Sequence, residues 1–464
     1  MGSRFRNGDL MESKWMLYTK RAEFEKLSAR FNISQMLARI IINRDIKEDE
    51  IDGYLNGDIN MMHSAVLLDG INKADEIIAE EIKKGSKIRV VGDYDIDGVC
   101  SSYILVKTLK YLGADADVRI PDRIKDGYGI NDDIIKQAKD EDISLIITCD
   151  NGIAAHSQME LARDLGIKVI ITDHHEVYQE DGKDLLPVAK TVINPKRSDC
   201  NYPFKSICGA LVAYKLMEYM YEKRNPGQKI HDNEELSDLL EIAAIATVGD
   251  VMPLIDENRV LVKNGLQRLL TTRNKGLRAL INVTGMEGKK ISAYHIGFVL
   301  GPCLNAGGRL ENAVIALNML TASTDEEALG FANHLKELND ERKNLTIQNV
   351  RKAIEIAESE YKNDDILVIY LKECHESIAG IIAGRVREAL GKPTIILTDA
   401  MGEDETVKGS GRSIENYNMF EELYKIKDVF IYDRFFFKDG RLIGCDHKFH
   451  GYYICEGGVL DQLA

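Results

Sequence analysis

Three apolar runs that each stop at acidic residues, with helical patterns between them, predict an α/β protein with a doubly wound, mostly parallel sheet. The first run is Val90-Val91, which ends at Gly92-Asp93-Tyr94-Asp95-Ile96-Asp97-Gly98. The second spans Ser144 to Cys149 and ends at Asp150-Asn151-Gly152; the third spans Lys168 to Thr172 and ends at Asp173-His174-His175. The second and third runs read as parallel strands buried on both faces. Helical patterns lie at Asn131 to Lys139 and Ser157 to Leu165, so right-handed crossovers bring every carboxyl end to one edge. Open α/β sheets place their sites at that edge, and three acidic clusters converge there.

Each cluster points to a cation. If the backbone stays extended after Val91, strand alternation puts Asp93, Asp95 and Asp97 on one side, where their charges share one small volume. Clustered carboxylates stay ionised when a hard divalent ion such as Mg²⁺ or Mn²⁺ neutralises them. An acidic turn is the alternative. The histidines after Asp173 shift the preference toward Mn²⁺, Fe²⁺ or Zn²⁺. One of them can ligate metal while the other meets a substrate phosphate or is oriented by a carboxylate. Asp250, at the end of the apolar run Leu239 to Val248, adds a fourth acidic element end.

These four segments resemble the motifs of the DHH phosphoesterase superfamily, and the Asp-Tyr-Asp-x-Asp-Gly form of the first is similar to the RecJ-like branch. Gly127-Tyr128-Gly129 and Leu304-Asn305-Ala306-Gly307-Gly308-Arg309 strengthen the resemblance, which spans about Lys87 to Lys427. It implies a two-metal phosphodiesterase, using Mn²⁺ or Mg²⁺, that degrades single-stranded DNA from its 5′ end in DNA repair and recombination. It also implies ligands from Asp93, Asp95, Asp97, Asp150, His174 and Asp250, with Asp150 as the bridge; which acids of the first motif bind directly stays open. His175 becomes the phosphate contact that stabilises the transition state, and Arg309 the clamp on the strand. By the same resemblance Arg123, Ser410 and Arg412 hold the 5′-phosphate, and Asn305 sits in a segment that approaches the nucleic-acid backbone. The bland alternatives are a surface cation for Arg123, a helix-capping turn for Leu304 to Arg309 and a glycine-containing hairpin for Lys408 to Ser413.

The division expected from the chain is a helical segment over 1–85 packing on a catalytic domain over 86–324, a connecting helix over 325–362 and a substrate-binding domain over 363–427. Helices are expected at Glu12 to Leu27, Ser34 to Arg44 and Asn72 to Lys84 in the first segment. Alanine, phenylalanine and leucine at three- and four-residue spacing, from Ala328 to Leu338, mark the connecting helix. The domain after it begins with a strand at Asp365 to Leu371, a helix at Ser377 to Leu390 and a strand at Thr394 to Thr398.

Residues 428–464 form an atypical tail that holds five of the twelve phenylalanines. A tail with that composition is expected to reflect an altered reading frame or truncation, leaving the second domain without its last strand. Cys445, His447, His450 and Cys455 are spaced too irregularly for a zinc site and read as a chance cluster.

Composition bounds the function. The chain has 464 residues, 44% of them hydrophobic, and no apolar stretch of the roughly 18 residues a membrane span needs. With no signal-like segment at its start, a cytoplasmic protein without membrane partners is expected. Cys100, Cys149 and Cys208 lie in apolar surroundings and are expected as buried thiols. The net charge of −15 argues against a protein that coats nucleic acid, though it leaves room for a groove with a few placed cations. Two other readings are a DHH hydrolase of short oligonucleotides or cyclic dinucleotides and a non-catalytic DNA-binding scaffold. Partners would be single-stranded DNA and other repair proteins. Intact acids in all four motifs oppose the scaffold, which has no use for a costly cluster of like charges.

Overall fold

The computed structural model describes residues 20–401, 406–415, 417–425, 434–438 and 441–450. The chain divides into two compact units: Asp49–Glu341, and Met1–Glu48 with Arg342–Ala464.

In the first unit, β-branched runs form β1 (Lys87–Val91), β3 (Ile143–Cys149), β4 (Lys168–Thr172) and β5 (Thr191–Ile193), with β2 (Asp115–Arg119) at the edge. All pairings are parallel and the order is β2-β1-β3-β4-β5. The order reverses between β1 and β3, which opens a crevice beyond their carboxyl ends. Asp93 and Asp150 leave those two strands.

Helices cover both faces. On one side lie α1 (Ile71–Lys84), α2 (Ile96–Tyr111), α5 (Gly209–Arg224) and α6 (Leu239–Gly249). On the other lie α3 (Asp132–Asp140) and α4 (His156–Asp164). Neighbouring strand residues serve opposite layers: Val90, Leu145, Ile147 and Ile170 join the first core, while Val91, Ile146, Val169 and Ile171 join the second. Nearly every residue of α2 from Ile96 to Val106 is buried, as expected for a helix apolar on all sides. That burial fixes the first acidic motif at its amino end. Further helices are α7 (Asp256–Leu269) and α8 (Gly301–Leu310).

A helix of 36 residues, α9 (Asp325–Glu360), carries the chain out of the first unit. In the second unit β6 (Leu367–Tyr370) runs parallel to β7 (Thr394–Asp399), and β8 (Thr406–Arg412) returns antiparallel. Strands β9 (Arg434–Lys438) and β10 (Arg441–His450) complete the order β9-β10-β8-β7-β6. Helix α10 (Glu376–Leu390) buries Ile378, Ile382 and Val386 with Leu367, Ile369 and Ile396.

Several expectations need correction. The backbone does not stay extended through Asp97, because Asp95 turns it into α2. Of the expected helical segment over 1–85, residues 20–48 group with the second unit and residues 49–85 with the first. An amphipathic helix shows which face it buries but not against what. Of the expected helix Glu12 to Leu27, residues 12–19 lie outside the described residues; the described helix is Phe24–Phe31. Lys408 to Arg412 is the second arm of the antiparallel hairpin that β7 and β8 form, with Gly409 and Gly411 inside the strand. The tail, expected to leave the second domain short of a strand, supplies β9 and β10, consistent with the high β-propensity of Phe435-Phe436-Phe437. Cys455 lies outside the described residues. Cys100, Cys149 and Cys208 are buried free thiols.

Candidate metal centre

The motifs meet through helix ends. Asp95 caps α2, its carboxylate accepting from the amides of Asp97 at 2.9 Å and Gly98 at 3.1 Å. This places Asp97 on the first turn, fully buried, where its two oxygens accept from the amides of Gly209 at 2.7 Å and Ala210 at 2.8 Å. The amino end of α5 thus holds a carboxylate of the first motif, a favourable charge for that pole of a helix.

Asp150 has φ of +60°, a left-handed conformation that few non-glycine residues adopt and that aspartate tolerates better than most. Three contacts hold it. The Tyr128 hydroxyl donates to its carbonyl at 2.8 Å. Asn151 donates to the carbonyls of Val91 at 3.1 Å and Cys149 at 2.9 Å, tying the ends of β1 and β3 together. Helix α5 approaches so closely that a Cβ at Gly209 would lie 2.9 Å from the Asp150 Cβ and 3.0 Å from its Oδ1.

At the third strand end, Asp173 accepts from the amides of His174 at 2.7 Å, His175 at 3.1 Å and Ile153 at 2.9 Å, and pairs with His175 Nδ1 at 2.8 Å. Burial would raise its pKa, but the His175 charge and hydrogen bond outweigh it and hold the group at about 2. Asp173 therefore orients His175, whose Nε2 faces the Tyr128 hydroxyl at 3.4 Å. His174 turns the other way. Its Nε2 lies 3.0 Å from Asp150 Oδ1, 3.5 Å from Asp97 Oδ2 and 3.8 Å from Asp250 Oδ2. Asp250 caps the carboxyl end of α6.

Three sets of potential ligand atoms result, each within 4.8 Å: Asp93, Asp95 and Asp150; Asp97, His174 and Asp250; Asp150, His174 and His175. Asp150 belongs to two sets. Asp93, Asp97, Asp150, His174 and Asp250 are all buried, and Asp93 Oδ1 accepts no hydrogen bond among the described residues. Burial, then the Asp95 charge, pushes Asp93 up to about 8. Burial and the neighbouring Asp97, Asp95 and Asp93 charges raise Asp150 as well. Carboxylates so arranged ionise together only beside a cation, and oxygen donors with one imidazole fit a hard or borderline divalent ion.

The other predicted residues divide. Arg123 stands on the rim: its guanidinium lies 4.8 Å from the Tyr94 ring centroid, and Tyr94, Tyr128 and His175 meet edge to face in succession. Asn305 makes a bond within the protein, its Oδ1 accepting from the Ile96 amide at 2.8 Å, and so helps hold α2 in place. The glycines beside it serve close packing within the protein: a Cβ at Gly308 would lie 2.2 Å from the Tyr94 carbonyl oxygen. Arg309 sits half-buried on the last turn of α8. Ser410 and Arg412 belong to the second unit, on β8. There a Cβ at Gly380 of α10 would lie 2.7 Å from Ser410 Oγ and 2.8 Å from Arg412 Nη2. Burial, with the Arg387 charge, lowers the Arg412 pKa to about 10.

Sequence reasoning gave no site role to Asp173, Tyr128, Asn151 or Gly209. Asp173 and Asn151 stood inside the strand-end motifs, so position alone could have flagged them. Gly209 carried no signal, because a glycine that admits a carboxylate is indistinguishable from one that packs two helices.

A family model for the DHH family, N-terminal domain, matches residues 87–247. The single-stranded-DNA-specific exonuclease RecJ of Escherichia coli is 34% identical over 411 residues, 85% of this chain and 68% of that protein. The Bacillus subtilis protein of the same description is 33% identical over 425 residues, 90% of this chain and 52% of its own length. The chain thus spans about half to two thirds of these relatives. A crystal structure of exonuclease RecJ bound to manganese is 30% identical, with a TM-score of 0.68 over 80% of this chain and 88% of that one. RecJ of Thermus thermophilus in complex with Mn²⁺ is 27% identical, with a TM-score of 0.73 over 88% of this chain and 56% of that one. On this identity and coverage, the chain belongs to the DHH family, among the RecJ proteins.

Proposed function

We propose that the protein is a metal-dependent phosphodiesterase that degrades single-stranded DNA from the 5′ end, with a place in DNA repair and recombination. The observation that carries the reading is the three ligand sets that meet at the β1/β3 crevice, linked because Asp150 and His174 each belong to two of them. Similarity to single-stranded-DNA-specific exonucleases supports the substrate, and similarity to manganese- and magnesium-bound RecJ structures supports Mn²⁺ or Mg²⁺.

Asp93, Asp95 and Asp150 would hold one ion, and Asp97, His174, Asp250 and Asp150 the other. Two ions held there would supply a water made nucleophilic at neutral pH and stabilisation for the charge that develops on phosphodiester oxygens. Asp173 keeps the Nδ1 proton of His175 in place, so the opposite ring edge is presented to a phosphate oxygen. Arg309 steadies the strand, and Arg123 meets its terminal phosphate. Ser410 and Arg412 offer a second anion-binding pair in their own unit. No helix among the described residues is long and apolar enough to cross a membrane, and we place the protein in the cytoplasm, with single-stranded DNA and other repair proteins as partners.

The test incubates the protein with Mn²⁺ and a 5′-phosphorylated, 3′-labelled single strand, beside duplex, dinucleotides and an Asp150→Ala control. Progressive release of mononucleotides from the 5′ end, lost in the variant, is the expected result. Cleavage of dinucleotides alone would replace this reading with a short-substrate hydrolase, for which the net charge of −15 speaks.

A further inference from the structure

An apolar groove of about 450 Å³ opens on the first unit, between α7 and the segment 290–294. It starts at Leu254, four residues after Asp250, and Leu270 and Tyr294 line it with Arg259, Lys263 and Lys290. No acidic residue is among the lining residues, in a chain whose net charge is −15. The cations are held from below: Arg259 donates to the Tyr54 carbonyl at 3.2 Å and Lys263 to that of Gly57 at 3.5 Å.

Tyr294 and Phe298 extend this surface. They are 63% and 68% exposed, and their rings stack with centroids 4.8 Å apart and planes 29° from parallel. An exposed pair of large rings one helical turn apart buries too little to stabilise the fold, so its use lies elsewhere. The backbone beneath is a π-helical turn, Ile296–Leu300, a geometry frequent at functional sites. Its residues Ile296 and Leu300 are buried, and directly after it a Cβ at Gly301 would lie 3.4 Å from Ile96 Cδ1. Ile96 stands between the acids Asp95 and Asp97, so the chain leaving the ring-bearing turn passes close to the first motif.

We infer that this groove and the Tyr294–Phe298 pair bind a single-stranded stretch of nucleic acid, with bases on the rings and apolar floor and phosphates along Arg259, Lys263 and Lys290. Stacking rings beside a groove lined by three cations and no acid are what an unpaired strand requires, because every base has a π-face and every linkage a charge. The inference rests on the single-strand reading above and adds a second contact surface to the metal centre.

Fluorescence anisotropy of a labelled strand of about 12 nucleotides, within the usual site size, is measured without metal on the full chain. The variants are Tyr294→Ala/Phe298→Ala and Lys290→Glu, both at exposed positions, with thermal melts to confirm folding. The double variant is expected to bind about tenfold or more weakly, and Lys290→Glu to flatten the salt dependence of binding. Wild-type protein that hydrolyses strands while both variants bind them as tightly as wild type overturns the groove alone. Wild-type protein that neither binds nor hydrolyses a strand overturns the groove and the proposed function together.

Discussion

Replacing Gly209 with alanine tests whether the amino end of α5 positions the metal centre. The new Cβ would lie 2.9 Å from the Asp150 Cβ and 3.1 Å from its Cα, where ordinary contact begins at 3.4 Å. Asp150 or α5 must therefore yield by about 0.5 Å, the tolerance to which a working constellation must be held. Both partners resist: the Gly209 amide is bonded to Asp97 at 2.7 Å, and Asn151 and Tyr128 pin the Asp150 backbone. Two stability effects oppose one another, since alanine favours the helix by about 0.5–1 kcal/mol and overpacking costs about 1–3 kcal/mol. The fold should survive with a small loss. Metal affinity should not, because a misplaced shared carboxylate weakens both ligand sets at once, and perturbing a ligand's support costs about 10- to 100-fold. Calorimetric titration with Mn²⁺, beside a thermal melt, separates the two effects. A folded variant that binds Mn²⁺ as well as wild type would refute the reasoning.

Three further outcomes follow from the same geometry. Asn305→Ala removes the acceptor for the Ile96 amide, so chemical denaturation should show a loss of about 1–2 kcal/mol and Mn²⁺ affinity should fall with it; unchanged values would return Asn305 to the nucleic-acid interface. Metal-free protein should lose stability as pH rises from about 4 to about 8, because Asp93, at about 8 folded and near 3.8 unfolded, binds its proton more tightly in the native state. Mn²⁺ displaces that proton, so its stabilisation should grow over the same window, and melts of wild type and Asp93→Asn with and without Mn²⁺ would check the sign. Gly380→Ala meets only the ends of the Ser410 and Arg412 side chains, at 2.7 and 2.8 Å. It should leave the melt nearly unchanged while reducing the preference for 5′-phosphorylated over 5′-hydroxyl strands, and an unaltered preference would remove Ser410 and Arg412 from phosphate binding.

The three central strands of the first unit, their shared direction and the acidic edge were legible because each depends on short-range pattern, whereas β5, β9 and β10 were not expected as strands. Val90-Val91, Leu145 to Ile147 and Val169 to Ile171 are short, rich in β-branched residues and apolar at consecutive positions, as a strand covered on both faces requires, and parallel winding sends all their ends one way. Asp93, Asp150 and His174 follow from that placement without knowledge of any distance, whereas Asp250, at the end of a helix, entered through the family resemblance.

What the pattern could not carry is how the segments orient one another. An amide that caps Asp97 comes from a helix 112 residues downstream, and the side chain that caps Ile96 from one 209 residues away. Such pairings depend on packing between distant elements, to which periodicity is blind. The bond between Asn305 and Ile96 was therefore hidden, and Gly209 looked idle. By itself the sequence determined that three acidic strand ends would share an edge. Only the tertiary structure decided which distant amides hold Asp97 and which glycine leaves room beside Asp150, because those depend on tenths of an ångström between helices.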